Sequence, residues 1–482
     1  MYHSINILIK QGELYNYFNN LSMNYNNMIN TTNYHIRQCM TGLAKDESDR
    51  FPNEKEVVDN INKNINSMNQ PCKTKNGKIK KTKSKKPKSE FKAPTKSRWF
   101  KGYSFWNKYF QITKNEDYFA LPGQVNQQAI KDCIESWTGY FSSLKKFKKN
   151  STNYTGKPKI PHYQKPGSKA TVTLSNQICK IKNNILRFPK TNLTLNLGNN
   201  KDYLNYKLAE VKIKPVGNNF EVILTFDDEK AAPEIKEISN RIIGIDLGID
   251  NIAAISNNIG LHPIIIKGNV IKSYNQWFNK KNSNIQSDID KCKDESLKLE
   301  LIKQRNNLFD YRRRFLKDIF SKISNYIINY CIDNNIDTII IGKNTNWKQN
   351  SHIGKKNNQT FCYIPHQSLI FNLQYRAEAN GIKLIFNEES YTSKASFLDN
   401  DYIPTFKENT PTFSGRRIKR GLYKSKNGIL INADINGASN IIKKTIPTAF
   451  NNIKDFSYLY TSTLVKRFHD FNKLPKYKMY SE

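Results

Sequence analysis

The chain has 482 residues, and its 77 Lys and Arg residues against 41 Asp and Glu residues give a formal net charge of +36. Since a domain usually has roughly 100–200 residues, this length predicts two to four domains. With 38% hydrophobic and 12% aromatic residues, the chain can build large cores, which excludes a disordered tail protein. The excess of positive charge favours a polyanionic partner, with nucleic acid as the first hypothesis.

Membrane-spanning and secreted classes are not expected from this sequence. No apolar run approaches about 18 residues, and the N-terminus lacks the charged start, apolar stretch and cleavage site of a secretory signal. The seven cysteines are scattered without a Cys-x-x-Cys pair, so we expect reduced thiols. We therefore expect a cytoplasmic protein with no membrane partner, associated with the nucleoid when it is bound to DNA.

The N-terminal part of the chain is predicted to be mainly helical. Residues 3–10 alternate as a short strand, and a helical pattern extends from about residue 12 to residue 150. The apolar stripes behind this prediction are Tyr15, Phe18, Leu21 and Met28, and then Val125, Ala129, Cys133, Trp137 and Phe141. Between them, residues 73–92 contain ten lysines and no apolar period, so this block cannot fold alone. It is either a solvated linker or an arm that contacts phosphates.

Residues 154–226 are predicted to form short strands. A basic, turn-rich segment that starts at Gly156 and contains Lys157 and Lys159 comes first. The strand-like runs are residues 170–174, 185–188, 208–214 and 220–226, and their spacing is typical of a small β-barrel. Residues 227–240 are charged and are expected to form a linker.

From residue 241 the order of elements becomes specific. Three strand-like runs cover residues 241–246, 252–256 and 263–267. They are followed by a charged helical stretch at 285–334, a strand at 338–341, a helix at 367–380, a strand at 382–386 and a last helix from near Asp434. This is the order of an RNase H-like domain, so the predicted fold class is mixed α/β and all-β over several domains.

Two acids occupy positions where such a domain would bind metal ions. Asp246 ends the first strand, near the middle of the sheet, where open α/β folds place their ligands. Asp434 opens the last helix and is followed by the small residues Gly437 and Ala438. A phosphodiester nuclease needs two or three carboxylates around divalent ions about 4 Å apart. Because oxygen ligands favour Mg²⁺, with Mn²⁺ as a substitute, we predict catalytic, metal-binding roles for both acids.

The third acid has two candidates. The end of the fourth strand, at Gly342, carries no carboxylate, whereas Glu388 and Glu389 follow the fifth strand. Because successive side chains of a strand point to opposite faces, only one of the two glutamates should reach the ions. We predict Glu389 as the catalytic metal ligand, with Glu388 as the alternate. Asp399 and Asp401 are nearby acids that we expect to be loop caps.

These segments resemble the TnpB-type (OrfB-like) proteins of insertion sequences, which are relatives of the type V CRISPR effectors and of Fanzor proteins. The matching stretches are residues 244–251, 388–399, 413–423 and 432–441. Weaker matches occur at residues 33–38, 124–127 and 156–161. The resemblance therefore extends over nearly the whole chain.

The resemblance implies an RNA-guided DNA endonuclease that cuts guide-matched DNA next to a short target-adjacent motif. Its partners would be a guide RNA and target double-stranded DNA, and its oligomeric state stays open. Asp246 and Asp434 would be the first and third RuvC acids. The implied domains are a wedge β-barrel at residues 1–12 and 151–230, a helical recognition lobe at 13–150, a RuvC nuclease domain at 241–447 and a C-terminal tail at 448–482.

Two departures from the family pattern affect the site. The absence of an acid at Gly342 resembles the pattern of the family branch in which the RuvC glutamate is relocated. The resemblance implies that Glu388 or Glu389 would then complete a Fanzor-like active site. The insert at residues 394–431 lacks the usual four zinc-binding cysteines, so no zinc is expected. We predict that this insert and the Gly156 segment contact nucleic acid, rather than being merely solvated, through Arg416, Arg417, Lys419, Arg420, Lys157 and Lys159.

Two other functions stay open at this point. A guide-directed repressor without nuclease activity would bind the same partners, but it should lack one or more of the carboxylates. A transposase-type strand-transfer protein could use an RNase H fold without RNA, although no His- or Tyr-based nicking pair is evident. Copurifying RNA would set the transposase apart, and Mg²⁺-dependent cutting of a guide-matched plasmid would separate the nuclease from the repressor.

Overall fold

The computed structural model describes most of the chain as two compact units. The described residues are 2–70, 90–198, 205–231, 233–235, 240–343, 364–406, 408 and 411–466. The first unit extends from Tyr2 to Glu229, and the second begins at Lys230. Nearly all of the lysine-rich block predicted at residues 73–92 lies outside the described residues, so both interpretations of that block stay predictions.

The first unit contains the helices expected between residues 12 and 150. They are α1 (Glu13–Gly42), α2 (Pro52–Asn69), α3 (Tyr103–Ile112), α4 (Glu116–Ala120) and α5 (Gly123–Lys149). Phe18 and Met28 of the first apolar stripe and Trp137 of the second are completely buried. The helical prediction is therefore confirmed, and its apolar stripes form the core of this unit.

The strands of the first unit form two antiparallel sheets. One sheet has the order β1-β7-β6-β2 and the other the order β3-β4-β5. Their bounds are β1 (Tyr2–Ile9), β2 (Val172–Ser175), β3 (Lys180–Lys182), β4 (Ile185–Arg187), β5 (Thr194–Asn196), β6 (Lys207–Val216) and β7 (Asn219–Asp227). Among the described strands, no pairing joins the two sheets or closes either of them, so the wedge barrel stays a prediction.

The second unit is built on a six-stranded mixed sheet of order β12-β11-β8-β9-β10-β16. The strands are β8 (Ile242–Asp246), β9 (Asn251–Asn257), β10 (Ile264–Lys267), β11 (Thr338–Gly342), β12 (Lys383–Asn387) and β16 (Thr463–Val465). β11 lies parallel to both β8 and β12, as the helical crossovers between them require. The predicted order of the first five strands is confirmed, and β8 lies in the interior of the sheet.

The helices of the second unit are α6 (Asn269–Lys291), α7 (Glu295–Asp333), α8 (His366–Ala379) and α9 (Ala433–Thr445). The predicted helical stretch at residues 285–334 starts too late, because its first helix, α6, already begins at Asn269. Ile271 and Phe278 are buried at helical spacing there, between lysines and asparagines that weaken the apolar pattern.

Helices cover both faces of the sheet, and this fixes the direction of each β8 side chain. Ile243 and Ile245 join one apolar cluster with residues of α7 and α8. Ile242 joins a second cluster with residues of α9, among them Ile441. Because side chains alternate along a strand, Asp246 lies on the same face as Ile242. The end of β8 therefore presents its carboxylate towards α9.

The predicted C-terminal tail at residues 448–482 requires a correction. Leu459 is almost fully buried, and Phe450 and Tyr458 are mostly buried, all in the α9 cluster. β16 then pairs in parallel with β10 at the edge of the sheet. Residues 449–465 therefore pack against the domain, and the predicted boundary at residue 447 was wrong. The apolar side chains that are buried there are scattered in the sequence and give no local pattern.

A small antiparallel sheet of three strands precedes the last helix. Its strands are β13 (Arg416–Lys419), β14 (Leu422–Lys424) and β15 (Leu430–Asn432), and β15 leads directly into α9. We call β13, β14 and the turn between them the basic hairpin, residues 416–424. Across the described ranges, no helix has the length and apolar character needed to span a bilayer.

Candidate active site

Asp246 lies at the interior end of β8, against the first turns of α9. A Cβ atom added to Gly437 of α9 would be only 2.7 Å from Asp246 Oδ2. Gly244 lies in β8, two residues before Asp246, and a Cβ atom on it would clash with the carbonyl oxygen of Ala438. These two glycines allow α9 to approach β8 closely enough for acids of both elements to be neighbours.

Asp434 is positioned by the way in which α9 begins. Asn432 caps the helix, and its side-chain oxygen accepts hydrogen bonds from the backbone N–H groups of Asp434 (2.9 Å) and Ile435 (3.3 Å). The Asp434 carboxylate accepts a hydrogen bond from Asn251 Nδ2 at 2.6 Å and another from Arg417 Nη2 at 3.0 Å. Asn251 lies within a stretch that resembles the TnpB-type proteins, but sequence reasoning assigned it no role.

Glu389 follows β12, which lies in register beside β11. Gly342 at the end of β11 is opposite Asn387. A Cβ atom on Gly342 would be 2.8 Å from Glu389 Oε2. The Glu389 carboxylate therefore occupies space at the end of the fourth strand, where that strand has no side chain of its own.

Glu388 has a different environment from its neighbour. Its Oε2 pairs with Lys444 Nζ at 2.5 Å, and the Lys444 side chain is only 8% exposed. Lys444 also donates to the carbonyl oxygens of Ser390 and Pro404, both at 3.0 Å. Glu388 thus neutralises a nearly buried cation, and this contact favours Glu389 over Glu388 as the metal ligand.

The three predicted acids interact electrostatically. The pKa of Asp246 is raised to about 8, mainly by burial and then by the negative charges of Glu389 and Asp434, while the positive charge of Arg417 acts in the opposite direction. Burial, followed by the charge of Glu388, raises the pKa of Glu389 to about 7. The structure therefore brings Glu389 and Asp434 near enough to Asp246 for their negative charges to raise its pKa.

The donor chemistry of this place fits a hard divalent cation, because its oxygens come from carboxylates and a cation would offset their mutual repulsion. However, within the described residues, no group of three or more His, Cys, Asp or Glu side chains is close enough together to hold a metal ion. The acids are neighbours rather than a closed ligand set. In this structure, the charge that compensates Asp434 is the Arg417 guanidinium.

The basic hairpin forms ion pairs with two carboxylates, those of Asp434 and Asp250. Besides the pair between Arg417 and Asp434, Arg420 forms an ion pair with Asp250, which also pairs with Lys272 of α6. The predicted nucleic-acid contacts Arg416, Arg417, Lys419 and Arg420 are all exposed. Lys157 and Lys159 are also exposed, and they belong to the first unit.

Asp399 and Asp401 stabilise loops, as expected. Asp399 accepts from Ser396 Oγ at 2.6 Å and from the backbone N–H of Lys426 at 2.8 Å. Asp401 accepts from the backbone N–H groups of Ser396 and Ser414, at 2.8 and 3.0 Å. These contacts use the carboxylates to cap backbone N–H groups, so the loop-cap prediction is confirmed.

Two family models match stretches that lie almost entirely in the second unit. Residues 225–348 match the OrfB_IS605 family, described as a probable transposase. Residues 366–441 match the family described as Cas12f1-like, TNB domain. The first match includes Asp246, and the second includes Glu389, Asp434 and the basic hairpin.

Individual relatives extend these matches. The TnpB-like protein ORF457 of Acidianus two-tailed virus is 24% identical over 249 residues, which cover 51% of this chain and 50% of that protein. The chain thus spans about half the length of this curated relative. A cryo-EM structure of a Cas12f1–sgRNA–target DNA complex aligns with a TM-score of 0.39 and 16% identity over 69% of this chain and 74% of that one. A CRISPR–Cas12f ternary complex aligns with a TM-score of 0.32 and 13% identity over 72% and 75%.

Proposed function

Because this chain is a TnpB-type protein, we propose that it is an RNA-guided DNA endonuclease of an insertion-sequence element. It cuts guide-matched DNA next to a short target-adjacent motif. The observation that carries this proposal is that Glu389 and Asp434 lie near Asp246, although the three residues come from distant segments of the chain. A protein that only bound nucleic acid would have no need for adjacent, mutually repelling carboxylates.

In this proposal, Asp246, Glu389 and Asp434 would hold Mg²⁺, for which Mn²⁺ could substitute, and they would have to draw closer together than they are in this structure. A Mg²⁺ ion held there would activate a water nucleophile and stabilise the leaving oxygen of the phosphodiester. The protein itself holds the acids in place. Gly437 allows α9 to lie against Asp246, and Asn251 orients the Asp434 carboxylate through its hydrogen bond.

The position of Glu389 supports a relocated third acid. Its Oε2 lies beside Gly342, the residue at which the fourth strand of the TnpB-type pattern usually ends in an acid. Glu389 therefore compensates for the absent side chain from the neighbouring strand. The proposal includes no zinc, since residues 363–482 contain no cysteine.

The partners in this proposal are a guide RNA and target double-stranded DNA. Base pairing to the guide selects the sequence, and the protein contributes a positive surface for the phosphate backbones, consistent with its net charge of +36. Residues 241–447 are the RuvC nuclease domain, now extended to residue 466. Residues 13–150 are the recognition lobe, and residues 1–12 and 151–230 are the wedge domain.

The function is tested by purifying the protein from cells that carry its own locus. We expect RNA to copurify, and we expect this complex to cut a plasmid that contains the guide-matched sequence. Cutting should require Mg²⁺ and stop with EDTA. Bound RNA without cutting would indicate the repressor, and strand transfer without RNA would indicate the transposase; either result would contradict the proposal.

Neutralising the basic hairpin should weaken DNA binding. Arg416, Arg417 and Arg420 replaced together by alanine should flatten the plot of log affinity against log salt by up to about 0.9 for each lost duplex phosphate contact, or about 0.7 for single strands. The measurement is a salt titration of DNA binding by the RNA-loaded protein. The matched control replaces the same arginines by lysine, which keeps the charges and should keep the slope. If the alanine variant keeps the slope of the wild type, the three arginines are solvated and do not contact DNA phosphates.

A further inference from the structure

One face of α1 holds an irregular segment of the first unit in place. Asn26, Asn30, Asn33 and Arg37 are spaced by four, three and four residues, so they lie on one side of the helix. All four side chains hydrogen-bond with the segment at residues 161–168, which has no helix or strand of its own. We call residues 157–169 the lysine–tyrosine loop.

Most hydrogen bonds of this face are made with backbone atoms of the loop. Asn30 donates to the carbonyl oxygen of Gln164 at 3.0 Å and accepts from its N–H at 2.7 Å. Asn26 donates to the carbonyl oxygen of Ser168 at 2.8 Å, and Asn33 donates to that of Pro161 at 3.2 Å. Because the backbone is held, the side chains of the loop can stay free for a ligand, and little conformational entropy has to be lost on binding.

Tyr163 is the most informative side chain of this loop. The Arg37 guanidinium carbon lies 4.4 Å from the centre of the Tyr163 ring, and Arg37 also donates to the carbonyl oxygen of Pro161. The contact with Arg37 restrains the ring, yet Tyr163 is still 42% exposed. A restrained aromatic ring that stays accessible is a suitable surface for stacking.

A cleft of about 670 Å³ lies between α5 and this loop. Its described lining includes the rings of Tyr140 and Tyr163 and the lysines Lys159 and Lys165, together with polar side chains, but no Asp or Glu. Aromatic rings beside lysines, without acids, are the combination with which proteins bind single-stranded nucleic acid. The described part of this cleft therefore suits an anion with a flat, stackable group.

We propose that this cleft binds an unpaired nucleotide, whose base stacks on Tyr163 while Lys159 and Lys165 contact the flanking phosphates. The ligand is single-stranded, because the bases of a duplex are covered on both faces by their neighbours. The inference rests on the proposed function in so far as nucleic acid is the partner. The strand can come from the guide RNA or from displaced DNA, and the chemistry of the cleft suits both.

The first test is photocrosslinking with the full chain in EDTA. A short single strand with one 5-iodouracil is irradiated with the protein, and the crosslinked peptides are identified by mass spectrometry, with an RNA arm and a DNA arm. We expect Tyr163 to be crosslinked in at least one arm, and the stronger arm identifies the source of the strand. Crosslinks confined to other peptides, or no crosslinks at all, would overturn the proposal.

The second test is affinity for the same single strands, measured by fluorescence anisotropy. Tyr163→Ala should weaken binding about 5- to 150-fold, the effect of removing one stacking ring. Tyr163→Phe should bind like the wild type, because stacking needs the ring and not the hydroxyl group. The matched control is Phe119→Ala, which removes an exposed ring outside the cleft lining and should change affinity little.

The outcomes separate this inference from the proposed function, because neither test reads cleavage. Wild-type affinity in a folded Tyr163→Ala variant would overturn the inference, even if the protein cuts guided targets. Loss of affinity in Tyr163→Ala, with none in Phe119→Ala, would support it even if the protein cuts nothing. Thermal melting of each variant shows whether it is folded, and Tyr163→Phe keeps the test valid if the alanine variant melts early.

Discussion

Replacing Asp246 by alanine should reduce guided DNA cleavage by at least about 10²- to 10³-fold, the loss typical of one group that stabilises developing charge. Asp434→Ala should have a similar effect. RNA and target binding should persist in both variants, because the acids act on the metal and not on the positioning of the strands. The measurements are cleavage of a guide-matched plasmid and target affinity of the RNA-loaded protein.

Asp318→Ala is the control for this prediction, because Asp318 is an exposed acid on α7 whose partner is Lys322. It should cleave like the wild type. A parallel loss of target binding in Asp246→Ala would contradict the separation of binding from metal catalysis. Retained cleavage in either active-site variant would remove that acid from the site.

The stability of Asp246 variants checks that cleavage is not lost through unfolding. The pKa of Asp246 is raised to about 8 in the folded chain, so the native state binds more protons than the unfolded state between about pH 4 and pH 8. Within this range, Asp246 ionises mainly in the unfolded state. This ionisation lowers the free energy of unfolding as the pH rises. Asp246→Asn removes this ionisation, so its stability relative to the wild type in EDTA should increase from about pH 5 to about pH 8.

The second large effect distinguishes two neighbouring glutamates. Glu389→Gln should lose cleavage as severely as Asp246→Ala, because it removes the carboxylate that lies beside Gly342 at the end of β11. Glu388→Gln should retain cleavage, because Glu388 pairs with Lys444. Both substitutions keep the size of the side chain, so each is the matched control of the other. The measurement is again guided plasmid cleavage.

Stability should show the opposite order. Glu388→Gln takes the ionic partner from Lys444, which is nearly buried, and should lower the free energy of unfolding by about 1–3 kcal/mol. Glu389→Gln removes a carboxylate whose pKa is raised mainly by burial, so it should not destabilise the fold at neutral pH. If Glu388→Gln loses cleavage and Glu389→Gln retains it, the catalytic role belongs to Glu388.

Much of the second unit could be predicted because its signals are local. The apolar run before Asp246 and the small residues after Asp434 are each found within a few positions of the chain. The order of these elements then restricts the topology, since a helical crossover between two strands of one sheet requires them to run parallel, as β8, β11 and β12 do. Asp246 and Asp434 follow from this reasoning alone.

The start of α6 and the packing of residues 449–465 were missed where local signals are weak. Ile271 and Phe278 are separated by polar residues, and β16 has only three residues. Such short or diluted patterns adopt their structure through burial against other elements, which the local sequence does not contain. The closed barrel of the first unit and the role of the lysine-rich block stay predictions.

The sequence by itself determined that this protein carries a mixed sheet with Asp246 at an interior strand end and Asp434 at a helix start, because helix and strand periods and caps act over a few residues. Only the tertiary structure decided which groups meet there. Asn251 donates to Asp434 across 183 residues of chain, Lys444 pairs with Glu388, and the Glu389 carboxylate lies beside Gly342. Such choices depend on the distance between side chains and on the cost of leaving a buried charge without compensation, and neither is set by spacing along the chain.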